Sequence, residues 1–160
     1  HIGLLFAKNY PELLNGLILT GSSGLYENNM GDKYPNRENY DWIKSKTEDV
    51  FFDSKIATKE LVDEVFDTVN DRNKLIRTLA LAKSAIRHNM ANDLPKMKIP
   101  TAIIWGNQDT VTPPDVAKEF HKLIPKSNHY WIDKCGHVPM MEHPKEFNKI
   151  MHKWLVNLNN

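Results

Sequence analysis

TAIIWGNQDTVTPP (residues 101–114) and NHYWIDKCGHVPM (residues 128–140) are each a short apolar run that opens into a polar turn, and each turn holds one residue suited to proton chemistry. TAIIWG (101–106) and HYWID (129–133) read as strands from their β-branched and aromatic content. Asp109 lies three residues past Gly106, and His137 lies four past Asp133, 28 positions after Asp109. A carboxylate that holds an imidazole in one tautomer frees the other ring nitrogen to take a proton from a nucleophile and return it to a leaving group. Asp109 and His137 are therefore the candidate acid and base. Gly136 gives the histidine turn the close approach this needs. Asp133 competes as the acid, but its turn lacks the setting of WGNQD.

Working outward, strands alternate with helices. Residues 1–9 are apolar on more than one side, as in a helix buried against a sheet, and Pro11 ends it. LNGLILTG (14–21) reads as a parallel strand buried on both faces. The Asn-, Gly- and Pro-bearing stretch 27–41 reads as a loop. Three amphipathic helical segments follow: 40–52, one capped by Thr58 and one capped by Asp71. The two prolines of NDLPKMKIP (92–100) return the chain to the sheet. PPDVAKEFHKLIP (113–125) is a helix with proline in its first turn, and the last helix begins near Pro144. Alternation of this kind gives an α/β fold with a parallel sheet of three strands flanked by helices and joined by right-handed crossovers.

WGNQD and CGH, in this order and spacing, resemble the acid and base segments in the C-terminal part of α/β-hydrolase-fold enzymes, whose triad runs nucleophile, Asp or Glu, His along the chain. HIGLLFAKNYPELLNGLILTGSSG (1–24) is similar to the stretch that follows the nucleophile elbow in that family. The resemblance implies that residues 1–24 and 93–160 belong to the C-terminal part of the hydrolase core and that residues 25–92 form a helical cap or lid insertion. No GxSxG occurs in the 160 residues. The family pattern would place the nucleophile about four residues before His1.

The expectation is a C-terminal fragment of a hydrolase that carries the triad acid and base, inactive alone for want of a nucleophile and oxyanion donors. The parent would cleave an ester, a thioester or a carbon–carbon bond in a small, partly apolar acyl substrate. Two other readings stay open: a dehalogenase or epoxide hydrolase fragment whose missing nucleophile is Asp, and a non-catalytic interaction or assembly module built on the same half-fold. Ser22 and Val138 are the substrate-binding candidates, with a turn serine bonding its local backbone as the bland account of Ser22. The outer side of strand 14–21 would lack a neighbour, so self-association or a complementing N-terminal half is expected there.

Composition bounds the rest. At 160 residues and 41% apolar content the chain can bury a core, and 21 basic against 20 acidic residues give no electrostatic case for nucleic acid or an anionic membrane. No apolar run has the length of a membrane span, and the first residues lack a signal-peptide layout. The one cysteine, Cys135, suits a reducing compartment, so the cytoplasm is the expected location. Cys135 itself reads as a packed side chain rather than a nucleophile. Arg87 and His88 could meet a substrate carboxylate but read more simply as a solvated helix face. His121, His129, His143 and His152 share no ligand spacing, so neither metal nor other cofactor is expected.

Overall fold

The computed structural model describes residues 1–26 and 36–158. Most of the loop read at 27–41 therefore lies outside the described residues. The core is a sheet of three parallel strands in the order β1 (Leu17–Leu19), β2 (Thr101–Gly106) and β3 (Ser127–Ile132). Leu17 pairs with Thr101, and Thr101 in turn with Ser127.

β2 is the middle strand and is buried along its whole length, which is why TAIIWG is apolar without alternation. Its side chains still divide by period two. Ile103 and Trp105 join Leu4, Ala7 and Leu19 on one face, together with Phe120 of α5 (Pro114–Leu123). Ala102 and Ile104 join Ile132, Phe147 and Trp154 on the other, where α7 (Pro144–Leu158) packs. Each large apolar side chain fully buried in this way contributes about 1.5–3 kcal/mol. α1 (Ile2–Asn9) places Leu4 and Ala7 against the first face.

The strand read at 14–21 is shorter than expected and is not buried on both faces. Only Leu17–Leu19 are extended and paired, and of these only Leu19 is buried. A single neighbouring strand is the reason: β1 pairs with β2 and no other strand among the described residues. β3 starts two residues earlier than read, because β2 offers partners from Thr101 onward.

Among the described residues three α-helices lie between β1 and β2: α2 (Tyr40–Glu48), α3 (Lys59–Asn70) and α4 (Arg72–Arg87). Asn39, Thr58 and Asp71 cap them through side-chain oxygens that accept from Trp42, Leu61 and Asn73 amides. Each cap stabilises its helix by about 1 kcal/mol. α4 buries no residue at all, although its sequence is amphipathic. A four-residue helix, α6 (Pro139–Glu142), links the turn after β3 to α7.

Candidate active site

The turns that follow β2 and β3 lie against each other at the carboxyl end of the sheet, the functional edge of parallel α/β folds. The Asn107 amide donates to Ile132 O and the Gln108 amide to Cys135 O, both at 2.9 Å. Gly106 makes this contact feasible: a Cβ there would fall 2.1 Å from Gly136 O. Asp109 then folds back over its own loop. Its Oδ1 accepts from the amides of Val111 (2.9 Å) and Thr112 (2.8 Å), while Trp105 Nε1 donates to Thr112 O and fixes the loop end. The Asp109 side chain is 0% exposed, and Oδ2 is left for a different partner.

That partner is His137. Its Nδ1 lies 3.0 Å from Asp109 Oδ2. A carboxylate can only accept, so the neutral ring carries its hydrogen on Nδ1 and keeps a lone pair on Nε2. The ring is a quarter exposed. The preceding turn passes through Lys134 at φ 50°, a left-handed conformation, and brings the His137 amide to Val50 O at 2.9 Å.

One cavity is lined by His137 itself, and a second by the next residue, Val138. The first, of about 690 Å³, is lined by His137, Val111 and Thr112, by β1 with Gly21, Ser22 and Ser23, and by Gly3 and Leu4 of α1. The other, of about 840 Å³, is walled mostly by apolar side chains of α2, α3 and α4, with Val138 and Met141 as its floor. α4 serves both: Leu75, Ile76 and Leu79 face the larger, Ala82 and Ile86 the smaller. This explains an amphipathic helix with no buried residue.

The sequence candidates separate accordingly. Ser22 sits in the cavity with His137, but its hydroxyl donates to Ser23 O at 2.8 Å, the local bond of a turn serine. Val138 lies in the helical cavity instead. Asp133 is bonded to Gln108 Nε2, from which it accepts (3.2 Å), while His137 Nδ1 is taken by Asp109. That bond and the Lys134 amide hold its carboxyl below the usual range. Cys135 is buried, and burial, with Glu142 nearby, pushes its thiol up to about 12. Arg87 and His88 line neither cavity. No cluster of three metal-ligating side chains occurs among the described residues. Nor is any described helix long and apolar enough to cross a membrane.

Sequence reading missed Gly21, Gln108, Val50 and Glu142, all of which hold the pair in place. Gln108 Oε1 accepts from the Cys135 amide at 3.0 Å, and Glu142 Oε1 from the Gly136 amide at 2.6 Å. Only Gly21 left a signal, as a glycine that closes an apolar strand.

Residues 1–144 match the model of the α/β-hydrolase fold, and the chain belongs to that family. It is similar to a 2-hydroxy-6-oxononadienedioate/2-hydroxy-6-oxononatrienedioate hydrolase of Pseudomonas sp, with 28% identity over 93% of this chain and 57% of the relative. Monoacylglycerol lipase ABHD6 of Homo sapiens is 32% identical over 62% of this chain and 29% of its own length. Among solved structures, an α/β-hydrolase enzyme from the metagenome of sediments of the Mar Chica lagoon, Morocco, is 50% identical, with a TM-score of 0.74 over 100% of this chain and 58% of that one. The meta-cleavage product hydrolase CumD shares the fold, with a TM-score of 0.80 at 17% identity. The chain thus spans somewhat more than half the length of the hydrolases it matches along most of its own length.

Proposed function

We propose that Asp109 and His137 are the acid and base of a nucleophilic hydrolase, and that these 160 residues supply that half of its active site. The nucleophile, a serine on a GxSxG elbow, comes from polypeptide outside them. One observation carries this reading: a wholly buried carboxylate holds His137 Nδ1 at 3.0 Å, and the same ring lines a cavity beside β1. In the family the strand leading to the elbow pairs with the counterpart of β1, so the hydroxyl would enter from that side.

The chemistry follows from the tautomer. Nε2 takes the hydroxyl proton as the serine oxygen bonds to the substrate carbonyl carbon, and Asp109 stabilises the imidazolium that results. Nε2 then gives the proton to the leaving oxygen, sulfur or carbon as that bond breaks. A water repeats the sequence on the acyl-enzyme: its proton goes to Nε2, its oxygen to the carbonyl carbon, and the serine is reprotonated on departure. Substrate contacts fall to Ser22 on the β1 side and to Val138 on the helical side. Residues 25–92 act as a cap over the core formed by 1–24 and 93–160. The apolar walls of the larger cavity suit a small, partly apolar acyl compound. Relatives named as hydrolases of oxo-dienedioates and of monoacylglycerols are in keeping with that class.

The 160 residues alone hold neither nucleophile nor oxyanion donors and should not turn over esters. A fluorophosphonate reagent tests the whole reading. On the full-length protein it should label a single serine upstream of His1, and on the 160-residue chain nothing. Labelling within residues 1–160, or no serine labelled in the full-length protein, would overturn the proposal.

A further inference from the structure

Three successive amides in the histidine turn are held by three different parts of the molecule. Cys135 N–H goes to Gln108 of the acid turn, Gly136 N–H to Glu142 of α6, and His137 N–H to Val50 O in the segment that leaves α2. Glu142 does more than fill one of these places. Its second oxygen, Oε2, accepts from the amide of Phe52 at 2.8 Å and, more weakly, from that of Asp53 at 3.4 Å. One carboxylate therefore bridges the residue before His137 to the stretch just past α2. Thr110 Oγ1 donates to Asp49 O at 3.0 Å and ties the acid loop to the same stretch. The contact is close enough that a Cβ on Gly136 would lie 2.6 Å from Val50 O and 2.9 Å from Phe52 N.

We infer that Glu142 is a positioning residue: it fixes the His137 turn against segment 49–53, so that the cap and the imidazole move as one unit. The inference rests on the reading of Asp109 and His137 as acid and base. The chemistry favours a carboxylate over any other side chain here, because it alone presents two acceptor oxygens to two sets of backbone donors. Glutamine has the same shape but turns an NH₂ group toward one of the amides. Aspartate keeps the charge but is one methylene short of spanning both sides. A cap that shifts in binding substrate would thereby act on the ring through this carboxylate, with no substrate contact of its own.

The test uses the full-length protein without substrate, so that the ring is observed with no turnover. Imidazole ¹⁵N shifts report the His137 tautomer, and amide exchange reports the Gly136 and Phe52 hydrogen bonds. Glu142→Gln should raise exchange at Gly136 and Phe52 together by at least tenfold and turn a single Nδ1–H tautomer into a mixture. Thr110→Val should raise exchange around Val50 yet leave the ring unchanged. Should Glu142→Gln fail to fold, an acid titration of the unmutated chain gives the answer instead: the Glu142 Cδ signal and the amide signals of Gly136 and Phe52 should share one midpoint. Separate midpoints, an unchanged ring in Glu142→Gln, or an equal ring response in Thr110→Val would each overturn the inference. Asp109→Asn separates its failure from that of the triad: if that variant leaves the His137 tautomer unaltered, the acid–base reading itself is wrong.

Discussion

Gly21 presses on the His137 ring: a Cβ at residue 21 would lie 2.6 Å from Cε1 and 2.7 Å from Nδ1 of the imidazole. Gly21 also sits at φ 51°, a left-handed conformation that side chains resist. The turn after β1 therefore forms one wall of the imidazole's seat, and its glycine serves the site as well as the backbone. We predict that Gly21→Ala displaces the ring from Asp109. Stability should fall by roughly 1–2 kcal/mol from the strained backbone alone. In the full-length protein kcat should drop on the order of 10²-fold, the effect of a misplacement near 1 Å. A Gly21→Ala protein with parental kcat would show that the contact does not matter.

Cys135 gives a second prediction. With its thiol pushed up to about 12, chiefly by burial, the folded chain holds almost no thiolate at pH 8. Iodoacetamide should leave it untouched there and modify it readily once the chain is unfolded in urea. A raised pKa favours the protonated form in the fold, so this contribution is complete below pH 9 and is lost as pH rises from 9 to about 12. Rapid alkylation of the native chain at pH 8 would contradict the packing described.

His129 behaves in the opposite direction. Its ring lies between those of His121 and Trp131, Nε2 is buried without a partner among the described residues, and burial with two cationic neighbours lowers its pKa from 6.5 to about 4. Between these values the unfolded chain takes up a proton and the folded chain does not. Stability should thus decline as pH falls from 6.5 toward 4, and His129→Leu should flatten that decline. Thermal melts at several pH values in this range decide it; equal slopes for both proteins would dismiss the effect.

The side of β1 that no strand among the described residues covers gives a fourth prediction. Leu17 and Ile18 are only partly buried, and Ile2, Phe6 and Leu13, in the helices that precede β1, are exposed. Unpaired backbone next to apolar side chains is a template for association. Sedimentation velocity of the 160-residue chain should show concentration-dependent self-association at micromolar levels, suppressed by Leu17→Lys. A monomer at every concentration would set the idea aside.

Much of this architecture is legible in the sequence because β2 and α7 obey simple periodicities: six consecutive buried residues in a central strand, and Phe147, Ile150, Trp154 and Leu158 on one helical stripe. Thr58 and Asp71 announce their helices by capping chemistry. Other features depend on partners distant in the chain. The length of β1 is set by what pairs with it rather than by its own leucines, so LNGLILTG overstates it. The amphipathic pattern of α4 records the walls of two cavities and looks, in sequence, like any core-facing helix. α6 is too short to show a period. Glu142 and Gln108 act by accepting from main-chain amides, and an amide carries no side-chain signature that would have pointed to them.

The acid–base assignment is tested most directly by ester hydrolysis in the full-length protein, comparing the parent with Asp109→Asn and His137→Ala on p-nitrophenyl acetate. If the 3.0 Å contact sets the tautomer of a catalytic base, Asp109→Asn should lower kcat by about 10⁴-fold with little change in KM, and His137→Ala should lower it at least as far. Activity in either variant within a few-fold of the parent would contradict the assignment of this pair.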